Sequence, residues 1–143
     1  MQSKYKKEEF KHEYSGEVKF SEVDSFKVVH NLTYLYWLEW ARTQYLFDIG
    51  LPRDDSMFSV QMPILTVHSE VDYYNSLKFT DKYIVLTKIS KIGESSITFI
   101  NQVYSEDILV LEASSVLVYV DMSDGKTKTI PDDIREMIKK YEN

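Results

Sequence analysis

The sequence predicts an α+β fold in which one antiparallel sheet wraps around a single long central helix. Three observations lead there. Residues 33–49 are apolar on nearly every side of a helical projection, and such a helix needs cover all round rather than along one stripe. The chain after it is almost wholly strand-like, in four long runs rich in Val, Ile, Thr and Tyr. Only four glycines and three prolines interrupt 143 residues, which leaves no linker and fits one domain. A curved sheet closed over one helix satisfies all three. It also leaves open strand edges, so association with further copies of the chain is expected.

The elements follow in order. Residues 1–12 are mixed in charge and are expected to fray, with residues 13–143 forming the domain. Glu13 to Phe20 reads as a strand, because Val18 and Phe20 alternate with Glu17, Lys19 and Ser21. A short loop holding Asp24 comes next. The helix, Thr33 to Ile49, has Asn31 or Thr33 to cap its start, Gly50 to stop it and Pro52 just beyond. Glu39 and Arg42 are three apart within it and are expected to pair on one face. Pro63 to Tyr74, Lys82 to Lys91, Ser96 to Tyr104 and Ile108 to Asp121 are strands. Gly93-Glu94 and Glu106-Asp107 serve as hairpin turns between them. The run from Ile108 is apolar at many positions of both faces and belongs in the sheet's interior. Ser123-Asp124-Gly125-Lys126 is a turn, and Pro131 opens a last helix to Tyr141.

Composition excludes several functions. A net charge of −6 with no basic stripe disfavours nucleic acid. No stretch approaches the ~18 apolar residues of a membrane span, and residues 1–9 lack the apolar core of a signal peptide. The absence of cysteine rules out disulfides and thiolate metal sites and suits a cytoplasmic setting. The three histidines, His12, His30 and His68, show no metal-ligand spacing, so no metal is expected. His12 reads as solvated and His68 as a strand-face residue. Eleven tyrosines suit a ligand pocket or a subunit interface, and equally an ordinary core.

The chemistry points to Asp24. It precedes the start of a buried helix, where backbone N–H groups lack intrahelical partners and carry partial positive charge. That setting suits a reaction in which a carbonyl oxygen gains negative charge. The other reading of Asp24 is a loop acid that caps its own turn.

Asp24, Asn31, Tyr34 and Glu39-Trp40-Ala41-Arg42, in that order, resemble the motif of hotdog-fold acyl-CoA thioesterases of the 4-hydroxybenzoyl-CoA thioesterase type. Glu70-Val71-Asp72-Tyr73, Thr80-Asp81, Gly93-Glu94-Ser95-Ser96, Val116 to Asp121 and Ile130-Pro131 extend the resemblance over about residues 14–138. Lys27 stands where the family commonly has Gly, and His30-Asn31 where relatives often have Asn-Asn or Tyr-His. The resemblance implies acyl-CoA hydrolysis with Asp24 as general base or as nucleophile. It implies that the thioester carbonyl is held at the helix start, by backbone N–H groups near Asn31 and Leu32. His30 either supports catalysis there or is structural. Tyr34, Trp37 and Tyr73 are then candidates for the acyl pocket, or plain core. Lys88, Lys91, Ser95 and Ser96 are candidates for the pyrophosphate end of CoA, or strand-end residues that discourage edge pairing. Glu39 and Arg42 remain a structural pair. No cofactor is implied, since CoA is part of the substrate, and a homodimer or homotetramer is expected. Two alternatives stand beside this reading: hydrolysis of acyl carrier protein thioesters, and a non-catalytic acyl-CoA-binding module.

Overall fold

The computed structural model describes residues 3–143. Along the chain lie β1 (His12–Glu17), α1 (Asn31–Asp48), β2 (Ile64–Tyr73), β3 (Lys82–Ile92), β4 (Ser96–Ser105), β5 (Ile108–Tyr119) and α2 (Asp132–Glu142). The five strands form one sheet in the order β1-β3-β4-β5-β2, with every neighbouring pair antiparallel. This is the expected α+β arrangement of one sheet on one long helix. β5 is an interior strand between β4 and the edge strand β2, in line with its two-sided apolar pattern.

α1 lies along β3. Near its start Trp37 stacks on Tyr83 at 3.8 Å between ring centroids; near its end Tyr45 meets Phe99 edge-on at 5.8 Å. Tyr83 lies over Gly16 of β1, where a Cβ would collide with its ring. Tyr34, Trp37, Leu38, Ala41, Tyr45 and Leu46 are buried toward the sheet. The helix is not covered all round within the chain, because a five-stranded sheet encloses only one side. Leu32, Leu35, Tyr36 and Trp40 stay 53, 39, 71 and 49% exposed.

The core divides into two apolar clusters. One holds Tyr34, Trp37, Val85, Val103 and Ala113; the other holds Tyr45, Leu46, Ile89, Phe99 and Leu117. Between them, β3, β4 and β5 each place a buried polar residue: Thr87, Asn101 and Ser115. Asn101 Nδ2 donates to Thr87 Oγ1 at 2.8 Å. α2 closes the second cluster with Ile134 and Ile138, and its Glu142 carboxylate accepts from the Tyr45 hydroxyl and from the Ile89 N–H.

The largest differences from expectation lie in the first third of the chain, the remaining element ends agreeing within two residues. β1 ends at Glu17 rather than Phe20. Val18 leaves the ladder to exchange backbone hydrogen bonds with Asp81 and Thr80, and the Glu22 carboxylate accepts the Lys19 N–H, turning Phe20–Glu22 into a 3-10 turn. α1 begins at Asn31, capped by His30 rather than by Asn31 or Thr33, with His30 Nδ1 accepting the Leu32 N–H at 3.1 Å. The segment expected to fray is docked; Met1 and Gln2 lie outside the described residues. The Lys4 N–H donates to the Glu112 carboxylate at 3.0 Å, and Gln102 Nε2 donates to the Tyr5 carbonyl at 2.8 Å. A buried carboxylate and a buried amide on the sheet thus tie down a polar segment that has no apolar run of its own. His12, expected in solvent, is instead buried, because it opens β1 against the end of α1. Its ring meets Tyr45 edge-on, and its Nε2 lies 2.7 Å from the Asp48 carboxylate.

Candidate active site

Asp24 sits at the start of a tight hairpin. Its N–H donates to Val28 O, its carbonyl accepts the Lys27 N–H, both at 2.9 Å, and Val23 bridges to Val29. Lys27 takes φ +65°, the left-handed conformation that closes such a turn and that Gly adopts without strain. The loop keeps its shape despite the lysine. Asp24 Oδ1 accepts the Phe26 N–H at 2.8 Å, so this acid does cap its own turn. Oδ2 has no hydrogen bond among the described residues. The turn therefore fixes the carboxylate by one oxygen and leaves the other available.

The second arm of the hairpin runs directly into α1. The Val29 N–H donates to Leu77 O and the His30 N–H to Glu22 O, at 2.8 and 2.9 Å, which anchors the helix start. Of the first N–H groups, Leu32 is taken by His30 Nδ1 and Thr33 by His30 O. The Asn31 N–H has no partner among the described residues. Of the two backbone donors expected to hold a carbonyl, one is thus occupied by a cap and one is free. His30 caps the helix through Nδ1 in this arrangement.

Tyr34 and Trp37 are buried, at 3 and 6% exposure, within the first apolar cluster. The Tyr34 hydroxyl accepts the Leu77 N–H at 3.1 Å, and burial holds its pKa above the ordinary tyrosine value. Trp37 Nε1 donates to the Glu22 carboxylate at 2.7 Å. Tyr73, on the edge strand, is 47% exposed, with its ring 5.8 Å from Tyr34 and its hydroxyl 3.5 Å from Asn31 O. Asn31, Tyr34 and Tyr73 therefore gather at the start of the helix, into which the Asp24 hairpin leads.

The other candidates lie elsewhere in this chain. Lys88 is held on the sheet's outer face, 3.4 Å from Glu9 and over the rings of Tyr5 and Phe10. Lys91, Ser95 and Ser96 lie at the β3–β4 turn, beside the second core cluster and the carboxyl end of α1. An 18-residue helix spans about 27 Å, so they do not approach Asp24 within one chain. Glu39 and Arg42 form no ion pair; both line a cavity of about 400 Å³ between α1, β2 and Phe58. Burial lowers the pKa of the Arg42 guanidinium, and the charge of Glu39 only partly opposes this.

Sequence reading missed Glu22, which joins three parts of the site: the Lys19 turn, the Trp37 indole and, through its carbonyl, the helix start. Its signal was an acid three residues after Lys19 and near a tryptophan whose indole needs an acceptor. The Arg42 cavity was also missed, because Met57–Gln61, a single π-helical turn, follows neither helix nor strand period. A larger open groove of about 900 Å³, edged by Ser15, Lys82 and Tyr104, includes none of Asp24, Asn31 or Tyr34.

Residues 18–138 match the family model of the thioesterase-like superfamily. The chain belongs to this superfamily. A putative esterase of Aquifex aeolicus is 27% identical over 126 residues, covering 88% of this chain and 96% of the relative. The acyl-CoA thioesterase YbgC of Haemophilus influenzae is 23% identical over 118 residues, covering 82 and 87%. A crystal structure of a thioesterase from Thermus thermophilus, complexed with coenzyme A and Zn, superposes with a TM-score of 0.83 at 25% identity, covering 94 and 96%. This thioesterase thus has the hotdog fold that its motif implied. No helix among the described residues is long and apolar enough to cross a membrane.

Proposed function

We propose that this thioesterase hydrolyses acyl-CoA thioesters to the free acid and CoA, with Asp24 as the catalytic carboxylate. The observation that carries this reading is the placement of Asp24. One oxygen is fixed by the Phe26 N–H, the other is unengaged, and the hairpin leads straight to the free Asn31 N–H at the start of α1. The carbonyl oxygen lies against that N–H, where charge developing in the tetrahedral intermediate is stabilised; one such donor is worth about 2.7–4 kcal/mol. Asp24 takes the proton of a water attacking the carbonyl carbon, or attacks that carbon itself to give an anhydride that water then opens. In the first course the C–S bond breaks and CoA leaves with the proton that Asp24 took from water; in the second CoA leaves as the thiolate and is protonated by solvent, and the water that opens the anhydride releases the acid and frees Asp24. No cofactor enters this scheme. The same reading places the protein in the cytoplasm, whose reducing conditions suit a cysteine-free chain.

The active form in this proposal is a homodimer or a homotetramer. β2 is an edge strand, mostly exposed along its length, and Leu65 and Val67 on it are 53 and 60% exposed. Together with the uncovered side of α1 they make a surface that a second copy would bury. Light scattering at micromolar concentration should give a mass of at least twice 16.9 kDa; a stable monomer that turns over substrate would contradict this.

Asp24→Asn, assayed on a panel of acyl-CoA substrates, is expected to lower kcat at least ~100-fold. Binding of a non-hydrolysable analogue should change far less, because the carboxylate acts mainly in the transition state. Near-normal turnover in the variant would remove Asp24 from the mechanism. A wild type that binds acyl-CoA tightly yet hydrolyses no thioester would instead be a binding module.

A further inference from the structure

Glu22 stands two residues before Asp24 and joins the hairpin to the body of α1. Its Oε1 accepts the Lys19 N–H at 2.8 Å, and its Oε2 accepts the Trp37 Nε1–H at 2.7 Å. Its carbonyl accepts the His30 N–H at 2.9 Å. Trp37 is itself fixed, buried and stacked on Tyr83. No other side-chain hydrogen bond among the described residues joins residues 18–29 to α1. An ionised carboxylate suits this place, because it offers one acceptor oxygen to each donor and binds both more strongly than an amide would.

The hairpin is located from its base, since Ser25, Phe26 and Lys27 at its tip are exposed. Its second arm is held by Leu77 and Lys78. Its first arm, which carries Asp24, has the ladder to that second arm, the packing of Val23 on the first cluster, and the bond from Glu22 to the indole. Packing resists separation but sets no direction, whereas a hydrogen bond does both.

We propose that Glu22 is a positioning residue, a brace from the Trp37 indole to the hairpin that keeps the Asp24 carboxylate at working reach of the Asn31 N–H. The proposal rests on the thioester reading above and names what sets the geometry of its carboxylate. Glu22 acts through Asp24 and touches no reacting atom in this scheme. Its weight falls on kcat, because a carboxylate misplaced by ~1 Å can cost about 100-fold in rate.

The test measures kcat and KM of Glu22→Ala and Glu22→Gln on the best acyl-CoA of a panel, well below their melting temperatures. Glu22→Ala should lower kcat about tenfold to 100-fold, with KM changed by less than about threefold. Glu22→Gln keeps one acceptor oxygen and should recover most of that loss. Trp37→Phe keeps a ring on Tyr83 but removes the donor. It should match Glu22→Ala, and the double variant should be no slower than either. In an Asp24→Asn background the Glu22→Ala factor should shrink toward one, because no carboxylate is left to place. A lower melting temperature with unchanged kcat would overturn the proposal and leave Glu22 as support for the fold. The same kcat factor with and without Asp24 would overturn it too. A second arm reads amide hydrogen exchange and needs no substrate. In Glu22→Ala the amides of Asp24, Lys27 and His30 should exchange at least ~10-fold faster, while that of Ile89, bonded to Glu142 near the end of α1, keeps its rate. Unchanged exchange in the hairpin, or an equal rise at Ile89, would overturn the brace. A wild type that hydrolyses no thioester would end the reading above, and the exchange result would still decide whether Glu22 holds the hairpin.

Discussion

Replacing Glu142 with Ala should loosen the end of the molecule farthest from Asp24. The Glu142 carboxylate accepts the Tyr45 hydroxyl and the Ile89 N–H, the latter at 3.0 Å. Tyr45 is 0% and Ile89 6% exposed, so neither donor can turn to water when the acceptor goes. Each orphaned buried donor costs about 1–3 kcal/mol; with partial relaxation the pair should cost about 2–4 kcal/mol. For a chain of this size that is a fall in Tm of about 7–13 °C. Burial, reinforced by the hydrogen bond to Glu142, keeps the Tyr45 hydroxyl protonated well beyond the ordinary tyrosine range, so it is available as donor across the working pH. Glu142→Gln retains an acceptor oxygen and should cost less than about 1.5 kcal/mol. The assay is urea unfolding at one fixed protein concentration, because association would shift the midpoint. Tyr45→Phe made alone and in the Glu142→Ala background gives the coupling, expected at about 1–2 kcal/mol. A Glu142→Ala penalty below about 0.5 kcal/mol, or a Tyr45→Phe cost that is the same in both backgrounds, would refute the reasoning.

Two further outcomes are expected. Burial pushes the Glu112 carboxyl up, but hydrogen bonds from Ser3, Gln102 and the amides of Lys4 and Tyr5 outweigh it and hold its pKa below the ordinary 4.5. The ionised form therefore stabilises the docked segment above that value, and the contribution is lost as pH falls through the lower folded-state pKa. NMR shifts of residues 3–10 should move toward unfolded values in acid, and Glu112→Gln should abolish this pH dependence. Lys27→Gly removes a left-handed non-glycine residue, worth roughly 1–2 kcal/mol, against a chain-entropy loss of about 0.5–1 kcal/mol. A net gain of up to ~1.5 kcal/mol in unfolding free energy should result, and a destabilised variant would contradict the assigned conformation.

Much of the fold was legible because its signals are local. The strands between Ile64 and Tyr119 carry their own β-branched and aromatic pattern, and their turns declare themselves through Gly93 and the Glu106-Asp107 pair. The order and spacing of Asp24, Asn31 and Tyr34 singled out the segment that the structure builds as a hairpin leading into the start of α1. What was hidden depends on partners distant in sequence. Nothing near Ser3 or Lys4 announces Glu112, and a lone acid in an apolar strand gives no hint of what will meet it. Lys88 meets Glu9 and Tyr5, which its own neighbourhood in the sequence does not announce, for the same reason. The spacing of Glu39 and Arg42 permitted a pair, but spacing does not fix which way an arginine turns when an apolar cleft lies beside it.

The polar row of Thr87, Asn101 and Ser115 gives α1 two separate grips instead of one. Loss at one grip need not propagate to the other, because a layer knit by the Asn101–Thr87 hydrogen bond lies between them. The half of the core around Tyr34 and Trp37 can therefore accumulate substitutions while Tyr45, Phe99 and α2 hold the frame. A costly change beside the start of α1 then draws on half of the core and leaves the other half as reserve.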